Sequence, residues 1–277
     1  MKYLIVTADD LGLTKSINEG IAKACKEGIV TSVSVIPTGE AFDDAVETIK
    51  GLSFKGVGAH LALSETKPLL SSSKFYKNHN GLFFSLLLGI VKQQDIYTEL
   101  KAQLELLRSK GLDITHINGH EHIHLIPQIL DIFIQLAKEY GIPAIRFPRG
   151  DVRPKGILSK ENYKSFVLNS FARGIENKIK TSGLFHTDFF MGLIDAGNLN
   201  IEKIKMMLEN LKDGVTEIVT HPGFLSPEVL DRYSWHRAGE TELFALTDQR
   251  IKDAIKDNNI QLISYETFLS LKKPSRN

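Results

Sequence analysis

Near the start of the chain Thr7-Ala8-Asp9-Asp10 follows an apolar run, Tyr3-Leu4-Ile5-Val6, and precedes Leu11-Gly12-Leu13. The pattern reads as a buried strand that ends in two adjacent carboxylates. Burying two such groups is costly unless a cation or hydrogen-bond donors compensate. On an extended strand their side chains leave opposite faces. One could then bind a metal while the other does different work. The alternative is a helix cap, because Asp is a good N-cap and a helical pattern starts soon after.

Other polar residues interrupt apolar runs further along. His60 lies in Gly56-Val57-Gly58-Ala59-His60-Leu61, and His116, His120, His122 and His124 lie between Thr115 and Leu125. Arg146 ends a fifth run, His186 and Asp188 sit in a sixth, and His221 ends a seventh before Pro222-Gly223. Polar side chains gathered at strand C-termini are the layout of a barrel active site. Imidazole with carboxylate suits a borderline divalent metal. Asp10, His60 and one histidine of the cluster would supply such a set and leave positions for water and substrate. In an extended segment residues 116, 118, 120, 122 and 124 share one face. Not all of these histidines can be ligands, and packing or hydrogen bonding is the competing role for each. His221 has no neighbouring acid or histidine, which suits a general acid or base better than a ligand; a turn histidine is the alternative. Arg146 could hold Asp9, Asp188 or a substrate oxygen, or form a structural ion pair at the barrel rim. Trp235, beside Tyr233 and His236, could stack on a sugar face or anchor its loop.

Strand-like and helical runs alternate around these residues. Strand candidates are Tyr3–Ala8, Val30–Ile36, Gly56–Leu61, Ile114–Asn118, Ala144–Phe147, Leu184–Phe190, Glu217–Thr220 and Gln261–Ser264. Several are apolar throughout, as in parallel strands covered on both faces. Helical patterns Lys15–Glu27, Ala41–Lys50, Ile96–Lys110 and Pro127–Tyr140 each end at a glycine; Ile201–Lys212 and Asp248–Asp257 follow. The fold class is α/β: a distorted (β/α) barrel, TIM-barrel-like, with seven or eight parallel strands. A doubly wound sheet is the alternative, but no Gly-rich phosphate fingerprint follows the first strand. One domain over residues 1–277 is expected, with insertions around 64–95 and 222–247 that read as long loops of the kind used for lids or binding.

Composition narrows the function classes. The 277 residues are 42% hydrophobic and 24% charged, an ordinary globular balance that fits a single barrel. A net charge of +1 gives no electrostatic footprint for nucleic acid. Cys25 is the only cysteine, so no intrachain disulfide can form. The first apolar run is short and ends in two Asp, unlike a signal peptide. The most apolar stretch, Leu82–Val91, is too short for a transmembrane helix, which needs about 20 residues. A cytoplasmic protein without a transmembrane segment is expected.

In order along the chain, Thr7-Ala8-Asp9-Asp10-Leu11-Gly12-Leu13, Asn18-Glu19-Gly20-Ile21, Gly28-Ile29-Val30-Thr31-Ser32, Val57-Gly58-Ala59-His60-Leu61, His116-Ile117-Asn118-Gly119-His120-Glu121-His122-Ile123-His124, Thr220-His221-Pro222-Gly223 and Arg237-Ala238-Gly239-Glu240-Thr241-Glu242-Leu243 resemble the YdjC-like carbohydrate deacetylases. The branch associated with hopanoid biosynthesis looks closest. Leu11 stands where the family usually has Phe. The resemblance implies a deviant (β/α) barrel with one divalent metal ion, magnesium or zinc. Asp10, His60 and His120 would hold it, with His122 and His124 as orienting groups or alternative ligands. Asp9 would be the general base and His221 the acid. Arg146, Asp188 and Trp235 are the candidates for substrate contact. The implied reaction removes an N-acetyl group from an acetylated amino sugar, an oligosaccharide or lipid-linked glycan, with metal-bound water as nucleophile. Rivals are another metal-dependent amidase or phosphoesterase, and a non-catalytic metal- or sugar-binding barrel. The Leu82–Val91 stretch could line a site for a lipid-linked sugar; a packed helix or a homodimer contact is the alternative.

Overall fold

A computed structural model describes residues 1–52, 57–70, 79–148 and 174–272. Among the described residues eight strands form one parallel sheet: β1 (Lys2–Leu11), β2 (Ser32–Val35), β3 (Val57–Leu61), β4 (Ile114–Gly119), β5 (Ala144–Ile145), β6 (Phe189–Met191), β7 (Gly214–Thr220) and β8 (Ile260–Leu262). Their order is β5-β4-β3-β2-β1-β7-β6, with β8 paired to the first residues of β1. An isolated parallel bridge between Ala144 and Phe185 ties the β5 edge to the segment ahead of β6. The sheet is thus curled as a distorted (β/α) barrel. β1 lies at its centre, and Leu4, Ile5, Val6 and Ala8 are buried with no exposed face.

Local chemistry explains the helix boundaries. The Thr14 hydroxyl accepts from the Ile17 amide at 3.2 Å and caps the helix Lys15–Glu27. That removes the capping role considered for Asp9 and Asp10. The helix Pro127–Tyr140 has Pro at its start and stops at Gly141, whose φ of 66° is left-handed.

Four regions differ from the sequence reading. β1 runs on through Leu11, and a bulge lies between Ala8 and Leu11 in its pairing with β2. Inside that bulge Asp10 has a φ of 69°. The simple alternation expected of an extended strand is therefore broken, and both carboxylates reach one cavity. The sixth strand covers only Phe189–Met191, so His186 and Asp188 precede it. The extended run of β4 ends at Gly119, and a 3₁₀ segment with left-handed Glu121 and His122 follows, so the shared face does not continue to His124. Residues 222–247 are not an open loop. They hold the helices Pro227–Arg232 and Gly239–Thr247 with the 3₁₀ turn Ser234–Ala238 between them. Ser226 caps the first of these, with Pro227 at its first turn.

In the other insertion, Leu82 is buried on the helix His79–Leu87 while Phe83, Phe84, Leu88 and Ile90 are exposed. Residues 71–78 of it lie outside the described residues. No described helix is long and apolar enough to cross a membrane.

Candidate active site

Three strand ends meet at one point. The left-handed turn at Asp10 brings its Oδ1 to 3.3 Å from His60 Nε2, at the end of β3, and to 3.1 Å from His120 Nδ1, just after β4. The two imidazole nitrogens are 3.3 Å apart. All three side chains are buried, and Asp10 Oδ1 has no hydrogen-bond partner. A buried orphan oxygen facing two nitrogens is unfavourable unless a cation joins them. Ligand atoms of a tetrahedral zinc at ~2.0–2.1 Å stand about 3.3–3.4 Å from one another. Asp10, His60 and His120 therefore fit a divalent ion in chemistry and in spacing.

The outer atoms of the three groups are held. Asp10 Oδ2 accepts from Trp235 Nε1 at 3.2 Å and lies 2.9 Å from His236 Nε2. His120 Nε2 is 2.9 Å from Glu65 Oε2. The Asn118 side-chain amide is 3.0 Å from His60 Nδ1. Burial would lower the His120 pKa, but Asp10 and Glu65 outweigh it and push the pKa up to about 10. Burial raises Asp10, and His120 together with the other donors more than reverses this. The centre of the triangle thus favours positive charge.

Asp9 belongs to a different network. The buried Arg146 guanidinium forks onto both of its carboxylate oxygens, and its Nη2 also donates to Glu217 Oε1 at 2.8 Å. Glu217 further accepts from Thr7 Oγ1 at 2.9 Å and from Tyr265 Oη at 2.7 Å. Burial works against an ionised Asp9, but the adjacent guanidinium prevails and holds the carboxyl well below the usual range. Asp9 Oδ2 is 4.0 Å from His60 Nε2, so this permanent carboxylate borders the triangle without completing it.

His221 follows β7 and faces the same cavity. Its Nδ1 is buried without a partner, and burial lowers its pKa to about 4. The backbone places it. His221 N donates to Glu242 Oε2 at 2.7 Å. A Cβ on Gly20 would stand 2.5 Å from the Gly223 Cα, and one on Gly239 would stand 3.1 Å from the Gly223 nitrogen. The turn after His221 is therefore seated by direct backbone packing against two helices.

A cavity of about 310 Å³ collects these groups: Asp9, Asp10, His60, His120, His221 and Trp235 line it, together with Glu65 and His122. His122 is a wall residue, edge-on to Phe190, and its Nδ1 is buried without a partner. His124 is turned away: its Nδ1 accepts from the Gly119 amide at 3.0 Å and its Nε2 is 3.2 Å from the Arg146 carbonyl. Arg146 sits behind Asp9. Asp188 is not brought to the group; it accepts from Val215 N at 2.8 Å, by the start of β7, at the end of the strand opposite His221. Sequence reasoning missed Glu65, His236, Glu217 and Glu242 as parts of the site. Glu217 carried a legible signal, a carboxylate inside an apolar strand run. His236 and Glu242 lay in segments already singled out, without a role.

The family model described as YdjC-like protein matches residues 3–257. A carbohydrate deacetylase of Thermoanaerobacter pseudethanolicus is 31% identical over 270 residues, covering 96% of this chain and 98% of that one. A chitooligosaccharide deacetylase of Escherichia fergusonii is 30% identical over 271 residues, with coverage of 95% and 98%. Among solved structures, a candidate cellobiose-phosphate cleavage protein of Enterococcus faecalis superposes with a TM-score of 0.74 at 25% identity, covering 96% of this chain and 98% of that one.

Proposed function

This chain belongs to the YdjC-like protein family, and from that premise we propose that it is a metal-dependent hydrolase that removes an N-acetyl group from an acetylated amino sugar. The observation that carries the reading is the Asp10–His60–His120 triangle: its inward atoms face one another while Glu65, Asn118, Trp235 and His236 hold the outer ones. The full-length relatives named for carbohydrate and chitooligosaccharide deacetylation support the substrate class.

Asp10, His60 and His120 would hold one divalent ion, magnesium or zinc. When bound, such an ion acidifies water and polarises an acyl oxygen. The chain's own residues supply the rest. Asp9, kept ionised by Arg146, accepts the proton of the attacking water at a carboxylate oxygen. Its low basicity suits a brief, transition-state role rather than a resting proton. The water oxygen bonds to the acyl carbon, the carbon–nitrogen bond breaks, and His221 gives a proton to the departing nitrogen. At neutral pH the free His221 is uncharged, because burial holds it near 4. As negative charge grows on the acyl oxygen, the proton that Asp9 took from the water passes on to His221, which delivers it to the nitrogen, so both groups end the cycle as they began it. Trp235 offers its ring at the cavity wall for the sugar face. The products are acetate and the free amino sugar.

Acetate release from N-acetylglucosamine oligomers, measured with wild type and His221→Ala, tests this. The wild type should turn over, and the variant should lose about 10²–10³-fold in kcat while binding metal normally. Bound metal with no acetate from any acetylated sugar would sink the reading in favour of a non-catalytic barrel.

A further inference from the structure

Glu242 is a buried carboxylate on the helix Gly239–Thr247 that touches neither the triangle nor the cavity. Its two oxygens hold two different backbone segments. Oε2 accepts from His221 N at 2.7 Å and Oε1 accepts from Leu199 N at 3.0 Å. The segment reached through Leu199 contributes Leu193 and Ala196 to the cavity wall. It also abuts the site from behind: a Cβ on Gly197 would stand 2.3 Å from the Trp235 carbonyl oxygen. One carboxylate therefore joins the residue assigned as acid to the wall beside it. Only a group with two acceptor oxygens can do this, because an amide or a protonated acid offers a single good acceptor in that plane.

We propose that Glu242 is a positioning residue for the reaction, clamping His221 and the 193–199 wall into one unit so that the imidazole keeps its place against the substrate nitrogen. The proposal rests on the role given above to His221. Among the described residues, ionisable side chains from two neighbouring elements bear on Glu242. Lys203, paired to Asp195 at 3.0 Å, comes from the helix Ile201–Glu209, and His236 comes from the 3₁₀ turn. Burial outweighs these and the two amides, and raises the carboxyl to about 7. The clamp is complete only in the ionised form, so turnover should fall as the pH drops through neutrality.

Glu242→Gln tests it, with hydrogen exchange of the peptides around residues 199 and 221 read beside steady-state kinetics. The variant should expose one of the two amides to exchange about 10-fold faster and lose ~10–100-fold in kcat, with KM and metal content near wild type and no fall in Tm. The fall in kcat around pH 7 should disappear with it. Glu242→Asp keeps the charge but is one methylene short, so it should restore the pH dependence without restoring the full rate. Exchange in Glu242→Gln identical to wild type at both peptides overturns the clamp, whatever the activity. So does a kcat loss accompanied by a lower Tm and faster exchange throughout the chain. A wild type inactive on every acetylated sugar defeats the functional reading instead, and the exchange result still decides whether the clamp exists.

Discussion

The site has two halves built in different ways. The ends of β1, β3 and β4 deliver Asp10, His60 and His120: His60 pairs opposite Asn118 in the β3–β4 ladder, Asp10 lies in the bulge of β1, and His120 follows directly on β4. The region from His221 to Glu242 delivers His221, Trp235 and His236 from a turn and a 3₁₀ segment, fixed by single hydrogen bonds and close backbone contacts. The first half has the chemistry to grip a cation. The second aims groups at whatever sits beside it. Affinity for the ion and rate of turnover should therefore be separable by mutation.

Asp10→Asn should defeat that separation, because the Asp10 carboxylate bonds across both halves. Its Oδ1 faces His60 and His120 while its Oδ2 is held by Trp235 and His236. Metal content measured after dialysis and kcat/KM should both collapse, the latter by about 10³-fold or more. A variant that retained metal would place the ion elsewhere.

Glu65→Gln sharpens the contrast from the first half. The Glu65 carboxylate orients His120 from outside at 2.9 Å. Its loss should weaken metal affinity ~10–100-fold. A competition titration with a chelator reads this directly, and kcat at saturating metal should change far less. An equal fall in saturated kcat would show that the two halves are not independent.

The smallest effect is one of stability in the second half. The folded Glu242 carboxyl sits near 7 against 4.5 for the free group. Because the folded value is the higher one, its contribution is complete below 4.5, declines as the pH rises toward 7, and is lost above. Denaturant unfolding of wild type and Glu242→Gln should therefore diverge in favour of the variant by on the order of 1–3 kcal/mol between pH 4.5 and 8. Parallel curves would mean that the carboxylate is better solvated than its burial indicates.

The same contrast explains what could be read in the residues alone. Strands β1, β3 and β7 announce themselves as largely apolar runs and β4 by its histidines, and a polar residue that interrupts such a run at its end stands out. Asp9, Asp10, His60, His120 and His221 were found on that signal, and the structure gathers them around one cavity. Asp188 gave the same signal and is elsewhere, because its run forms only a short strand and the residue lies at the strand's beginning. Glu65 and His236 depend on how a loop folds back; Glu65 needs a left-handed φ of 64° that no periodicity encodes. The opposite-face reading of Asp9 and Asp10 failed for a like reason. The alternation of a strand says nothing of the bulge that turns Asp10 beside Asp9.

The contact of Gly20, Gly223 and Gly239 has a consequence for how such a site is inherited. The turn behind His221 is located by backbone pressed on backbone, with no room for one carbon on Gly20 and only a tight fit for one on Gly239. What must be preserved at Gly20 above all is a vacancy, and a vacancy has no chemical variant that can be exchanged conservatively. The information that aims the imidazole is thus written partly in side chains that are missing, on a helix more than two hundred residues away along the chain.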